Sequence, residues 1–551
     1  MFNNDKRNYL ILLAILISIF LIMLPFKDQV FSEDFAYAQS VKHLILTGDL
    51  KISERVGPSS ITHIFLGSII ASILGFSLGN LHIAVVALLP FMLLAFYKTL
   101  RLAGNTPQRS FLFTSFFLSI PWILQLSYTF LTDVTFLTME VFSLLFYLTA
   151  FRKNSTKYLL LGSVFASLAF LTRQLGLAIV LAAVVTILLK RENREYKIKN
   201  LPLVSIAPLA AAALYFFWLK IPGNATIAQL SVISEFKVVY FHSEPSIVIG
   251  NIARIIHRAL AFVSQALVLF SPLILLFIIS NSKKALLLLK ANKTKFMTIS
   301  TIVFSIYALD IVNFRNEYTF GFPLLIYDYE SLFPIPWAHI WKFLVLLGLP
   351  VLGFTVFSQR TKIYKLTSFV QFILLCSIFL TAMTVIHVAS WDHYIVPLLP
   401  LIILWVANLT KKLKLNNNLA FVVILLLLID SLQMTKFRYT QSGLIWYKAK
   451  ALVQTGVSPK EIDANNNFGW YYWFYYEKIV NDQIRKNNGS KAGLNYGFEI
   501  DKPKLPKYRI YSPKMIGYTR PNMSHYNIVP IAFNSLFVNS QIYFMQLKKD
   551  K

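Results

Sequence analysis

One cysteine, Cys376, in a chain of 551 residues leaves no partner for an intrachain disulfide and no thiol-based metal site. Charge is scarce as well. Asp, Glu, Lys and Arg make up 14% of the sequence, against about a quarter in a soluble domain. Acids are the scarcer sign, with 25 Asp and Glu against 53 Lys and Arg and a formal net charge of +28. That excess does not read as a nucleic-acid surface. Many of the basic residues stand in short clusters between apolar runs, where cytoplasmic loops of membrane proteins hold them. The apolar runs are continuous rather than alternating, which excludes an outer-membrane barrel. No internal repeat with paired broken helices is visible, a device common in secondary transporters. No ligand cluster has a spacing diagnostic of a metal. The sequence therefore implies no cofactor and leaves a divalent metal open.

What is abundant is apolar. Hydrophobic residues make up 56% of the chain, the mean hydropathy is +0.58, and apolar runs recur from Tyr9 to Met434. The fold class is an all-α polytopic membrane protein. Lys6 and Arg7 place the N-terminus in the cytoplasm. Ala36-Tyr37-Ala38 resembles a signal-peptide cleavage site, but it lies too far beyond the end of the apolar run at Pro25. Tyr9–Phe26 is read as a retained first helix, and residues 27–60 as the first external loop.

The short apolar stretch 61–76 contains His63 and small Ser and Gly residues. It is read as a helix lying at or dipping into the outer interface, not as a span. With it left out, spans are expected at 81–97, 111–127, 134–151, 158–171, 175–189, 201–219, 252–280, 296–312, 341–357, 366–388, 394–409 and 419–434. Every loop then assigned to the cytoplasm is basic, with Glu192 and Glu195 the exceptions among acids. Counting 61–76 as a span would put those clusters outside, against the orientation rule. The expectation is a bundle of about thirteen spans over residues 1–434, followed by a small external α/β domain over 435–551. The aromatic run Gly469–Tyr476 in that domain reads as a core strand or as a sugar-stacking platform.

This topology gathers Glu33 and Asp34, Glu54 and Arg55, Asp133, Arg173, and Asp392 and His393 on the external face. Each has a plainer reading. Asp133 can cap a helix beginning at Val134. Arg173 can snorkel from a helix end. His393 can be an ordinary interfacial residue, and the loop acids can simply be solvated. Their common side favours chemistry. An acid there can take a proton from an acceptor hydroxyl or amine, while cations hold the phosphate of a lipid-linked donor as it leaves.

The order of these features resembles the C-type (GT-C) glycosyltransferases, and among them the protein O-mannosyltransferases and the aminoarabinose transferases that modify lipid A. Glu33-Asp34-Phe35-Ala36-Tyr37 stands where the family has Asp-Glu followed by Ala-x-Tyr, with the acids in reversed order. Leu131-Thr132-Asp133 matches an acid after the third helix, and Leu171-Thr172-Arg173 a Leu-Thr-Lys motif. His393-Tyr394-Ile395-Val396-Pro397-Leu398-Leu399-Pro400 resembles a late Arg/His-Tyr-x-x-Pro-x-x-Pro element, and Glu54-Arg55 before Pro58 a Glu-Lys pair before Pro-Pro.

The resemblance implies a membrane glycosyltransferase moving a hexose or pentose, such as mannose, from a polyprenyl-phosphate donor to a glycan, lipid or protein acceptor. The reaction would be a single inverting displacement at the extracytoplasmic face of the cell membrane. It implies Glu33 or Asp34 as the base and Asp133 as an orienting residue. Arg173, His393 and Arg55 would bind the donor phosphate, and Glu54 and Tyr37 the sugar or acceptor. The rival reading is a secondary transporter or flippase of lipid-linked sugars. It draws on Glu140, Asp310 and Asp430, acids inside apolar runs.

Overall fold

The first apolar run folds as α1 (Phe2–Met23). The computed structural model describes residues 2–24, 28–30, 33–190, 194–241, 368–386, 392–411 and 413–464, with shorter stretches between 250 and 301 and between 473 and 548. The expected first external loop carries a helix of its own, α2 (Asp34–Thr47), which ends at Gly48 in the left-handed conformation. The stretch read as interfacial is α3 (Ile61–Leu74), short and apolar. The run expected at 81–97 is two consecutive helices, α4 (Leu78–Val86) and α5 (Leu89–Leu102). The Ser77 side chain caps α4 by accepting from the Asn80 amide.

The run expected at 111–127 is broken. Its halves, α6 (Pro107–Ser119) and α7 (Pro121–Ser127), are bent by 63°. The cause is local: Pro121 brings no amide hydrogen, and Ile120 before it is held extended at φ −69°, ψ 122°. After it come α8 (Thr132–Lys153), α9 (Thr156–Thr172), α10 (Gly176–Leu189), α11 (Arg194–Lys220) and α12 (Ile227–Phe241). Helices α8 and α9 pack tightly along their length. A Cβ on Gly162 of α9 would stand 2.6 Å from the Tyr147 ring of α8, so only glycine permits this approach.

Then follow α13 (Ser368–Ile386), a 3-10 turn (Asp392–Leu398), α14 (Leu399–Leu409) and α15 (Asn417–Gln454). Six stretches among the described residues are long and apolar enough to cross a membrane, and the bent pair α6/α7 makes a seventh. Helices α9 and α10 and the stretch Ile395–Leu409 are apolar but shorter. The runs expected at 296–312 and 341–357 lie wholly or largely outside the described residues, as does about half of the run expected at 252–280. The chain is a polytopic, predominantly helical membrane protein.

The last expected span does not stop at Met434. Helix α15, 38 residues long in all, continues to Gln454 and packs against all four strands of a C-terminal sheet. The strands are β1 (Ile462–Ala464), β2 (Tyr508–Tyr511), β3 (Tyr526–Ser535) and β4 (Val538–Leu547), in the order β1-β2-β4-β3. Strands β1 and β2 run parallel, and the other pairs are antiparallel. The strand expected in the aromatic run is not what its described residues form. Trp473 and Phe474 are helical, and Trp473 meets Trp446 of α15 edge to face at 6.5 Å.

Candidate functional site

Glu33 stands just before α2 and supplies no side-chain cap to it. Its carboxylate instead accepts from Arg55 Nη2 at 3.0 Å, with the glutamate side chain 46% exposed and the arginine 10%. Asp34, the next residue, is buried. Its Oδ2 lies 3.0 Å from His82 Nε2 of α4, and both side chains are 0% exposed. The two adjacent acids thus have opposite surroundings. Glu33 reaches solvent, while Asp34 locks α2 to α4 within the core.

Asp133 lies one residue into α8. The helix cap is Leu131, which rules out Asp133 as the N-cap. Its carboxylate faces Arg173, with Nη1 to Oδ1 at 3.0 Å and Nη2 donating to Oδ2 at 3.1 Å. Arg173 Nε donates to Thr132 Oγ1 at 2.9 Å. Arg173 follows the last residue of α9 in an extended conformation and is buried, so it does not snorkel to the interface. The first turn of α8 also favours negative charge through the helix dipole.

The loop before α3 is stitched to the end of α9. Ser59 Oγ donates to the Phe170 carbonyl at 2.6 Å, the Ser60 amide to the Thr172 carbonyl at 3.0 Å, and Thr62 Oγ1 to the Leu168 carbonyl at 2.9 Å. This stitching brings the first loop beside Arg173. Tyr37, one turn along α2, completes the junction. It is buried beside Thr132 and sits within the electrostatic reach of Glu33, Asp133 and Arg173. Burial pushes its phenol well above the usual range, so it remains a neutral hydroxyl at physiological pH. His63 of α3 backs Tyr37 edge-on at 5.5 Å and stacks on Phe130 at 4.1 Å.

Residues far apart in sequence are therefore neighbours: Asp133 pairs with Arg173, Glu33 pairs with Arg55, and Glu33, Asp133 and Arg173 all lie within electrostatic reach of Tyr37. Glu54 is placed differently. It is buried, with Oε2 accepting the Ile227 amide at 2.9 Å and Oε1 paired with Lys491 Nζ at 2.5 Å. The backbone of His393 lies in the 3-10 turn, which packs against α7 and α8, but its side chain lies outside the described residues. Asp310 lies outside them too. Glu140 is buried in α8, and neither of its oxygens has a hydrogen-bond partner among the described residues. No group of three His, Cys, Asp or Glu side chains clusters among the described residues, so no residue is assigned to a divalent ion.

The sequence reading missed His82, Thr132 and Lys491. His82 carried a usable signal, a histidine inside an apolar run. Lys491 carried none, because nothing in a polar tail marks one lysine among many.

The described residues thus form a helical membrane bundle with two acid–guanidinium pairs, Glu33–Arg55 and Asp133–Arg173. Residues 59–219 match the family model of dolichyl-phosphate-mannose-protein mannosyltransferases. That segment holds the α3-to-α11 core, with Asp133 and Arg173. No curated protein matches the chain. Among solved structures, the chain is similar to the S. cerevisiae protein O-mannosyltransferase Pmt1-Pmt2 complex bound to the sugar donor, at 15% identity and a TM-score of 0.33. That match covers 39% of this chain and only 33% of the yeast one. ArnT from Cupriavidus metallidurans bound to undecaprenyl phosphate is similar at 13% identity and a TM-score of 0.43, with 97% of each chain covered. The oligosaccharyltransferase AglB from Archaeoglobus fulgidus is similar at 14% identity and a TM-score of 0.40, with 88% of this chain and 61% of that one covered.

Proposed function

We propose that the chain transfers a monosaccharide from a polyprenyl-phosphate donor to an acceptor at the extracytoplasmic face. The observation that carries this reading is the convergence of Glu33–Arg55 with Asp133–Arg173 around Tyr37, two carboxylates and two guanidiniums at one junction. The family match over residues 59–219 supports a dolichyl-phosphate-mannose-like donor.

In this reading Glu33 is the base. Its side chain is 46% exposed, whereas that of Asp34 is wholly buried against His82. The acceptor hydroxyl gives its proton to Glu33 as its oxygen bonds to the anomeric carbon. The bond from that carbon to the phosphate oxygen breaks, its electron pair goes to the phosphate, and the configuration inverts. Arg173 stabilises the charge gained by the leaving phosphate, and Arg55 aligns Glu33 and shares that charge. Asp133 and Thr132 hold the Arg173 guanidinium in one plane, and the neutral Tyr37 hydroxyl orients sugar or acceptor. The lipid chain would lie against the apolar face of α3, where Phe65, Ile69 and Ile73 are exposed.

The test is to incubate membranes with radiolabelled undecaprenyl- and dolichyl-phosphate mannose and follow label into acceptor fractions. Label enters an acceptor with the wild-type chain and not with Glu33→Ala. Full transfer by both a Glu33→Ala/Asp34→Ala double variant and Asp133→Ala would sink the reading. The transport alternative rests on the buried Glu140 carboxyl. It requires Glu140→Gln to stop uptake of a labelled lipid-linked sugar while leaving no transferase to lose.

A further inference from the structure

Lys491 belongs to the C-terminal segment, yet its ammonium is used up within the membrane-proximal loops. Nζ pairs with Glu54 Oε1 at 2.5 Å and donates to the carbonyls of Gly223 at 2.8 Å and Ala225 at 3.0 Å. A lysine ammonium has three N–H donors, and here there are three acceptors from two separate loops. The second oxygen of Glu54 takes the Ile227 amide, and the Glu54 carbonyl takes the Ala228 amide at 3.0 Å. Around the same junction Thr226 Oγ1 donates to the Val56 carbonyl at 2.7 Å, and Gln229 donates to Tyr215 at 3.0 Å. Glu54 is therefore fixed on both oxygens and on its backbone. The residue joined to it, Arg55, holds Glu33.

We propose that Lys491 is a positioning residue: by clamping Glu54 it fixes the first loop so that Arg55 meets Glu33, and the C-terminal segment thereby sets the geometry of the reacting acid. The catalytic consequence rests on the transferase reading; the clamp itself does not. Removing the ammonium leaves Glu54 buried beside two carbonyls with no cation. That is a repulsive arrangement, relieved only if the loop moves and carries Arg55 with it. A shift of about 1 Å at a reacting group can lower a rate by up to about a hundredfold.

The experiment uses the full chain in nanodiscs and three variants: Lys491→Gln, Glu54→Gln and the double. Hydrogen–deuterium exchange is read over residues 33–37 and 50–58, and transfer kinetics are read with labelled undecaprenyl-phosphate mannose. Exchange over both segments is expected to rise severalfold in all three variants. Each single variant lowers kcat about tenfold with donor KM little changed, and the double falls no further, because both changes break one contact. Wild-type exchange over 50–58 in Lys491→Gln overturns the proposal. So do raised exchange with unchanged kcat, and rate losses that multiply in the double. If the wild-type chain transfers no sugar from undecaprenyl- or dolichyl-phosphate mannose, the transferase reading falls. The exchange measurement then decides by itself whether Lys491 fixes the loop.

Discussion

Glu33 and Asp34 are joined by one peptide bond and differ in almost every physical respect. Glu33 is half exposed with a single guanidinium partner; Asp34 is sealed against His82. Their substitutions should separate accordingly. Glu33→Gln should lower sugar transfer by at least about 10²-fold and leave thermal unfolding of the solubilised protein unchanged, since a solvent-reaching pair contributes little to stability. Asp34→Ala should do the reverse. It strands a buried imidazole and should cost about 3–5 kcal/mol of stability, read as a lowered unfolding midpoint and loss of folded yield. The double change Asp34→Leu/His82→Leu removes both partners and should recover much of that stability. If Asp34→Ala instead folds normally and loses only transfer, Asp34 and not Glu33 is the reacting acid.

At the scale of elements, α8 and α9 form the platform. Their ends present Thr132, Asp133 and Arg173 at one point, and Gly162 lets their axes approach. Arg173→Lys keeps the charge but loses the planar fork that meets Asp133 and Thr132 together. Transfer should fall by about tenfold or more, with the protein still folded, as read by labelled transfer and unfolding in parallel. Gly162→Val should drive a side chain into Tyr147 and destabilise the protein by about 1–3 kcal/mol, again read by thermal unfolding.

The sequence made much of this platform legible. Apolar run lengths located α8, α9 and α10, and the motif order singled out both Asp133 and Arg173. It could not show that they pair, because that depends on how two helix ends converge. Nor could it show which of two adjacent acids faces inward, since a single rotation about the start of α2 decides it. Two element-level expectations failed for identifiable reasons. Pro121 turns one apolar run into a bent pair. The polar second half of α15 has no apolar signal to separate it from a loop.

At the scale of the whole molecule, sidedness is the question that orders everything else. Cys376 is the sole cysteine and is buried, so the wild-type chain should give little background in thiol labelling. Ile69 of α3 is 57% exposed. Ile69→Cys should never react with a membrane-impermeant maleimide presented from the cytoplasmic side of inverted vesicles. Labelling from the cytoplasm would make α3 a span and reverse the orientation of every later loop.

Helix α15 bears on the same scale. At about 1.5 Å per residue its 38 residues extend roughly 57 Å, nearly twice the hydrocarbon thickness of about 30 Å. It is therefore a mast as well as an anchor. Near its middle Ser431 donates to the Ser119 carbonyl at 2.5 Å, two residues before Pro121, and Lys436 donates to the Ile22 carbonyl at 2.6 Å. Its upper part carries the sheet. A rigid rod fixes azimuth as well as height. Adding one residue between Met434 and Gln454 would turn the sheet by about 100° about the mast, whereas adding four would bring it back to within about 40° of its phase while raising it about 6 Å. The orientation of the C-terminal sheet over the membrane is thus a matter of helical phase, set by a stretch of chain that touches no substrate.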